Sequence, residues 1–414
     1  MSEISSALPE RQNEAAKYSN LFTTWSSVFN NAFWNSKSAT YDYGQQTSSI
    51  LPLTLGIVDA DAANNITVAL LNDIVKNHYH FTTGAVGTKF LLPYLSSIGQ
   101  TDIAVHIASS VVYPSWGYMI YQRHQVPATS LWEIWGGSIA TEPYSHSSTL
   151  FAPVSAWFYS NLVGIKQPNW SRGFKHIIID PPANELVYSN LRMANGSIET
   201  PNGVITTSWE MYGGDRVCAL APEGAYIRLN CETGVISKID FASYGTPKGD
   251  CGGHFRVDST CSASSSLKTV EAKCLGRKTC TVPANNQLFG DPCYNLFKYL
   301  AVVGSCSNGI SIKMKTVIPQ NTKAIIKVPK LYLKQVVISE QANIIWNNGV
   351  FIPGATSGIT NAQDFENKIQ LYVGGGTYQF TLTGTRGNPI CASGTEVKRR
   401  NWPIIHSQTK KKNI

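Results

Sequence analysis

The octet Ala128-Thr129-Ser130-Leu131-Trp132-Glu133-Ile134-Trp135 sets a single carboxylate between two indoles. Carboxylates are scarce around it, and charged residues make up 14% of the 414-residue chain, against roughly 25% in an average soluble protein. A carboxylate buried among aromatic rings has a raised pKa and can exchange a proton near neutral pH. Indole and phenol faces are also platforms for the apolar face of a sugar ring. The plainer reading makes this Glu a solvated or hydrogen-bonded structural residue, and the surroundings of the octet weigh between the two.

Upstream, the pattern is helical. Ile66, Leu70, Ile74 and Val75 recur at helical spacing with Asn64 or Asn65 as the expected cap, and Phe90, Leu91, Tyr94 and Leu95 do the same. Phe151 to Leu162 reads as a further, aromatic-rich helix. Between these lie Tyr43-Gly44-Gln45-Gln46-Thr47, Thr82-Thr83-Gly84-Ala85-Val86-Gly87-Thr88 and Tyr113-Pro114-Ser115-Trp116-Gly117-Tyr118. Loops of this composition on a helical scaffold converge on binding sites. Seven of the ten tryptophans precede residue 171, more than core packing requires.

Downstream of Lys175 the period changes to two. Ile177-Ile178-Ile179 is a buried strand stopped by Asp180-Pro181-Pro182, and Asn202-Gly203 is the expected two-residue turn between Ile198-Thr200 and Val204-Trp209. The alternation resumes at Ile310, Ile312 and Met314. Ile369, Leu371 and Val373 are expected to turn at Gly374 to Gly376 and return through Tyr378, Phe380 and Leu382. Both strand regions read as halves of one antiparallel sandwich, interrupted by a cysteine module at a surface loop. Eight of the nine cysteines lie between Cys218 and Cys306, which signals a disulfide-stapled module from an oxidising compartment. Cys391 is left over. No metal-ligand spacing appears, so neither metal nor cofactor is expected.

Three sequons, at Asn65, Asn169 and Asn195, agree with secretion. The chain opens on polar Met1-Ser2-Glu3 without a signal-peptide pattern, which leads to the expectation that the native start lies elsewhere. No apolar run is long enough to span a bilayer. The net charge of +8 is partly a basic tail (Lys398, Arg399, Arg400, Lys410, Lys411, Lys412), so no nucleic-acid partner is expected.

The ordered motifs resemble the α-L-rhamnosidases of glycoside hydrolase family 78. The matching signatures are Gly44-x-Gln46-Thr47, Thr82-Thr83-Gly84-x-x-Gly87-Thr88-Lys89, Tyr113-Pro114-Ser115-Trp116-Gly117-Tyr118-Met119 and Thr129-x-Leu131-Trp132-Glu133-x-Trp135. Val154-Ser155-Ala156-Trp157-Phe158-Tyr159 and Gly173-Phe174-Lys175 also fit, so the likeness covers about half the chain. The cysteine module resembles the galactose/rhamnose-binding lectin domain of sea-urchin and fish-egg lectins, found also at the end of plant β-galactosidases. Glu223-Gly224, Phe241-Ala242-Ser243-Tyr244-Gly245-Thr246-Pro247, Phe289-Gly290-Asp291-Pro292-Cys293 and Lys298-Tyr299-Leu300 carry that likeness.

Together these imply a multidomain α + β chain. The later part of a catalytic α/α-barrel spans 1–172, and an antiparallel β-sandwich spans 173–216 and 308–390. A disulfide-rich α/β lectin domain at 217–307 is inserted in the sandwich, and a basic tail follows at 391–414. The rhamnosidase resemblance implies Glu133 as general base of an inverting hydrolysis of terminal α-L-rhamnosides. Trp116, Trp132 and Trp135 are candidates to wall the sugar, with core packing as their alternative role. The lectin resemblance implies the pairs Cys218–Cys251, Cys231–Cys306, Cys261–Cys293 and Cys274–Cys280, with Glu223, Tyr244, Asp291 and Lys298 holding sugar hydroxyls. The implied partners are rhamnose- or galactose-containing glycans, met in a secreted or lumenal setting.

Two departures stand out. The family's general-acid motif, Asp-x-x-x-Arg-x-Glu, is not in this sequence, and Asp42, Asp59, Asp61, Asp73 and Asp102 read as caps or surface groups. The family's Asn-His pair falls on Ser147 and Ser148, with His146 as a possible substitute. Also, Thr246 stands where the lectins carry Arg. The chain therefore reads as a rhamnosidase incomplete at its N-terminus and weak on its own, or as a non-catalytic galactose/rhamnose-binding lectin-like protein.

Overall fold

The computed structural model describes residues 1–121, 128–137, 144–183, 191–212, 216–231, 234–249, 251, 255–307, 311–331 and 333–386. Ile310, Cys391 and the basic tail, all named above, lie outside them. The described residues form two compact units that meet in sequence between Phe158 and Tyr159.

The first unit is helical: α1 (Ser2–Ala7), α2 (Gln12–Phe33), α3 (Gln46–Leu55), α4 (Ala60–Lys76), α5 (Ala85–Ser97), α6 (Thr101–Ala108), α7 (Trp116–Ile120) and α8 (Pro153–Trp157). A two-strand hairpin, β1 (Trp34–Asn35) and β2 (Thr40–Tyr41), follows α2. Ile50, Ile66, Leu70, Ile74, Leu91, Leu92, Leu95 and Ile107 form its buried apolar set, as the helical spacing predicts. Val75 differs: it faces solvent. The cap of α4 is not the expected Asn64 or Asn65, because the helix starts earlier; it is Asp59, one of the aspartates read as caps or surface groups. Asp59 accepts the Ala62 N–H at 2.8 Å, and the aspartate was already well placed to satisfy a free first-turn donor. The three quoted loops are helix entrances, since α3, α5 and α7 begin inside them. Helix α2 has no buried residue and displays Leu21, Phe22, Trp25 and Val28.

The second unit is built of strands. β3 (Ile165–Lys166) pairs with β4 (His176–Ile179), so residues 165–166 belong to this unit's sheet and not to the helical part expected up to 172. β5 (Met193–Thr200) and β6 (Gly203–Tyr212) form a hairpin in which Thr200 pairs with Gly203, so the turn residues are Pro201-Asn202, one position before the expected Asn202-Gly203. The next strands are β7 (Arg216–Pro222), β8 (Tyr226–Asn230), β9 (Ile236–Gly245), β10 (Thr279–Pro283) and β11 (Tyr299–Cys306). They form a three-stranded sheet, β7-β11-β9, and a pair, β10-β8, with the helix Ser266–Cys274 among them.

β12 (Ser311–Ile318), β13 (Lys323–Pro329), β14 (Leu333–Glu340), β15 (Asn343–Asn347), β16 (Val350–Phe351), β17 (Ile359–Phe365), β18 (Lys368–Val373) and β19 (Gly376–Arg386) complete the unit. They join the earlier strands in a seven-stranded sheet, β16-β15-β14-β19-β12-β6-β5, and a five-stranded one, β17-β18-β13-β4-β3. Two features depart from the wholly antiparallel expectation. β13 pairs parallel to β4, because the chain returns to that strand's edge from elsewhere rather than by a hairpin. Gly374 to Gly376 do turn the chain, but β18 and β19 then lie in different sheets, so the glycines make a crossover and not a hairpin. Alternation alone predicts a turn; it does not say which neighbour the returning strand takes. The chain leaves the seven-stranded sheet at Tyr212 and re-enters at its partner Ser311, and Arg216 pairs with Ser305 just inside. The cysteine module thus departs and returns through adjacent strands.

Candidate active site and lectin site

Gln46, fully buried at the start of α3, ties two of the loops together. Its Nε2 donates to the His80 carbonyl at 3.1 Å and its Oε1 accepts the Thr82 N–H at 2.9 Å. Gly87 lets them close: a Cβ there would sit 2.5 Å from Thr47 Oγ1 and 2.9 Å from Thr83 Cγ2. Trp135 Nε1 then donates to the Thr83 carbonyl at 2.8 Å, bringing in the octet. Trp116, on the third loop, crosses Trp135 edge-on at 5.3 Å and donates to the Phe151 carbonyl at 3.3 Å. Phe81 and Phe151 stack on Trp135 with centroids 5.1 and 3.9 Å away. The three loops and the octet therefore meet at one aromatic cluster. Both indole N–H groups in it are used by backbone carbonyls, and both rings are buried, so Trp116 and Trp135 act first as packing.

Glu133 sits at the margin of this cluster, half-buried, in an irregular segment. Its backbone N–H donates to the Ser145 carbonyl at 2.9 Å, and its Oε2 accepts the Ser145 N–H at 3.0 Å. The Ser148 N–H donates to the Leu131 carbonyl at 2.8 Å, and Ser130 Oγ donates to the His146 carbonyl. The segment 145–148 is thereby laced to 130–133. His146 itself is exposed; its Nε2 lies 3.1 Å from the Gly137 carbonyl and its ring 5.7 Å from buried Trp132. Ser147 is held in a local turn with Ser145. Ser145 escapes sequence reading because a backbone donor has no residue signature.

The cysteine module is closed by Cys218–Cys251, Cys231–Cys306, Cys261–Cys293 and Cys274–Cys280, the pairing the resemblance implies. Its four candidate sugar residues are brought together. Lys298, with a side chain 4% exposed, reaches Asp291 Oδ1 at 3.1 Å and Glu223 Oε2 at 3.4 Å. It also donates to the Leu296 carbonyl at 2.9 Å, so its three protons are all engaged. Burial works to lower its pKa, but Asp291 and Glu223 outweigh that and raise it. The Glu223 N–H also donates to the Lys298 carbonyl at 2.8 Å, and the Lys298 N–H to the Glu223 side-chain Oε2 at 3.3 Å. Tyr244 is fully buried, stacks on Phe289 at 4.9 Å and donates its hydroxyl to Asn286 Oδ1 at 2.8 Å. Burial first, then Glu223 and Asp291, raise its pKa and keep the phenol protonated. Asn286 was not foreseen, since nothing in its spacing singles it out.

Residues 1–162 match the bacterial α-L-rhamnosidase six-hairpin glycosidase domain, and 164–221 match the bacterial α-L-rhamnosidase C-terminal domain. Two stretches of the chain are thus similar to domains of bacterial α-L-rhamnosidases. Residues 229–306 match the D-galactoside/L-rhamnose binding SUEL lectin domain. Among its relatives, an α-L-rhamnosidase of Streptomyces avermitilis is 30% identical over 225 residues, 51% of this chain and 20% of the relative. A rhamnose-binding lectin of Silurus asotus is 40% identical over 89 residues, 20% of this chain and 29% of the lectin. The solved α-L-rhamnosidase of Dictyoglumus thermophilum aligns with a TM-score of 0.57 at 22% identity, covering 92% of this chain and 30% of that one. That of Streptomyces avermitilis, complexed with L-rhamnose, gives 0.53 at 18%, over 89% and 24%. At these identities the likeness speaks for the fold. The chain spans about a fifth of the length of the curated rhamnosidases it matches.

Proposed function

We propose that the chain supplies the water-activating half of an inverting hydrolysis of terminal α-L-rhamnosides, with Glu133 as general base. One observation carries this reading: Glu133 is a half-buried residue two positions before Trp135 of the cluster where the three loops meet, and the Ser145 N–H fixes its carboxylate at 3.0 Å. A carboxylate so restrained is suited to take a proton from water on one face of a sugar ring. The general acid belongs on the other face, with the carboxyls roughly 6.5–9.5 Å apart. Trp132 and His146, which adjoin Glu133 and Ser145 in sequence and face each other, are the sugar-contacting candidates of this reading.

The helical unit is taken as the later part of an α/α-barrel. The open apolar face of α2 supports that, since such a face suits packing against further helices. The strands at 173–216 and 308–390 are taken as one β-sandwich into which the lectin domain, 217–307, is inserted. The four disulfides are compatible with an extracellular location, and secretion is part of the proposal.

The test uses p-nitrophenyl α-L-rhamnoside. The chain alone is expected to release no p-nitrophenol above buffer. Fused behind the first barrel half of a relative it is expected to turn over, and Glu133→Gln to cost at least about 10²-fold. Equal rates for the fused Glu133 and Gln forms would remove Glu133 from the mechanism.

The second reading, a non-catalytic binding protein, is favoured by the assembled lectin residues. Here Glu223 and Asp291 accept from vicinal sugar hydroxyls while Lys298, its protons engaged, holds the two carboxylates in place. Calorimetry with rhamnose and galactose is expected to show weak binding that Asp291→Ala abolishes; no heat with either sugar overturns the binding role.

A further inference from the structure

Across the five-stranded sheet, four adjacent strands each bring one charged side chain to a single point. Lys368 comes from β18, Lys327 from β13, Asp180 from the end of β4 and Lys166 from β3. All three ammoniums pair with the one carboxylate. Lys368 lies in direct contact with Oδ1, Lys166 sits 3.1 Å from Oδ2, and Lys327 sits 3.6 Å from Oδ2. Lys368 also donates to the Pro181 carbonyl at 2.9 Å. The strands explain the convergence. Along β4, β13 and β18 one face is buried (Ile177 and Ile179; Ala324, Ile326 and Val328; Ile369, Leu371 and Val373). The alternate residues, Lys327, Lys368 and Gln370 among them, share the half-open face, with Lys327 directly across from Gln370.

Three ammoniums meet one carboxylate here, and Asp180 is the sole ion-pair partner of each among the described residues. Among the described residues two positive charges are thus left without a counter-charge, at side chains 32%, 22% and 19% exposed for Lys166, Lys327 and Lys368. Like charges held this close repel, and an anion on the open side relieves them. The partial exposure of the three lysines leaves the cluster within reach of a solvent-borne group. The cluster lies on the five-stranded sheet, to which none of the lectin strands belongs.

We propose that this cluster is a second binding site, for a small oxyanion: a carboxylate or sulfate group, either free or borne on a sugar. Lys166 and Lys327, the more exposed pair, make the direct contacts, and Asp180 with Lys368 forms the fixed floor.

The experiment is calorimetric titration of the whole chain at constant ionic strength with sodium sulfate, with galacturonate and, to measure the lectin residues' share of the galacturonate heat, with galactose. Sulfate and galacturonate are expected to bind, and the Lys166→Gln/Lys327→Gln double variant to lose at least tenfold in affinity for both. Tighter binding of galacturonate than of sulfate names an acidic sugar as the source; the reverse order names a free anion. Sulfate carries no sugar for the lectin residues to hold, so a sulfate response lost in the double variant stands or falls independently of the lectin reading. As a second measure, Asp180→Asn is expected to gain more thermal stability from sulfate than the parent does, since a third ammonium is then unpaired. No heat from either anion, or a double variant within twofold of the parent, overturns the proposal and leaves the cluster a structural ion-pair network.

Discussion

Asp180 is the residue at which physical chemistry makes the firmest statement. Burial alone would raise its pKa, but the ammoniums of Lys368, Lys166 and Lys327 outweigh burial and bring it down to about 2. A carboxylate with a depressed folded pKa contributes stability that is present above its unfolded value, near 3.8, and is lost as the pH falls through about 2. The shift corresponds to about 2 kcal/mol. Lys368 offsets part of it: its buried ammonium, also repelled by Lys166 and Lys327, has a lowered pKa and so stands charged at a cost. Asp180→Asn is therefore expected to lower the melting temperature at pH 6 and to become indistinguishable from the parent near pH 2, as followed by circular dichroism; a difference independent of pH would sink the assignment. In sequence, Asp180 was legible as the residue that stops a buried strand. Its three lysines were not, because they arrive from positions up to 188 residues away. Glu133 shows the same division. Its flanking tryptophans are visible in the octet, whereas its partner Ser145 acts through a backbone N–H that any residue carries.

At the scale of elements, the end of β9 shows how tightly the lectin site is framed. Tyr244 accepts the Ala263 N–H and Thr246 donates to the Cys261 carbonyl, both between backbone atoms, with Gly245 between them. A Cβ on Gly245 would lie 2.0 Å from the Cys261 carbonyl oxygen, which is backbone and has no way to rotate aside. Gly245→Ala is expected to cost at least about 2–3 kcal/mol and to displace Tyr244, so that chemical denaturation and sugar titration both register the change. An unaltered midpoint would mean that β9 shifts freely, against the close approach. The Tyr-Gly pair was readable in sequence; the reason for its glycine lies in a contact with a segment 16 residues downstream, at Cys261. Strand existence was likewise legible for β12, β18 and β19, since a buried face every second residue is a local signal. Strand partnership was not: the parallel pairing of β13 with β4 and the passage from β18 to β19 between sheets depend on neighbours that alternation does not encode.

For the molecule as a whole, the distribution of cysteines sets up a selective response to reductant. All eight paired cysteines lie in the module from Cys218 to Cys306, while the sequence before Cys218 has none. The module's core includes Cys231, Cys274, Cys280 and Cys306 packed with Leu229, Tyr244, Val270 and Leu300, so its bridges are also part of its apolar interior. Each native disulfide of a small domain contributes roughly 2–4 kcal/mol, and a domain of this size loses about 4–8 °C of melting temperature per kcal/mol. Reduction is therefore expected to abolish the lectin transition in a calorimetric scan. The helical unit, whose core of Ile50, Leu70, Ile74 and Leu91 contains no cysteine, is expected to keep its 222 nm ellipticity and its melting temperature to within about 2 °C. The sugar binding proposed for Glu223, Asp291 and Lys298 is expected to disappear with that transition, because Asp291 stands two residues from Cys293 and its carboxylate accepts the Cys293 N–H at 3.2 Å. A common shift of both transitions under reductant would show instead that the helical unit draws its stability from the stapled one.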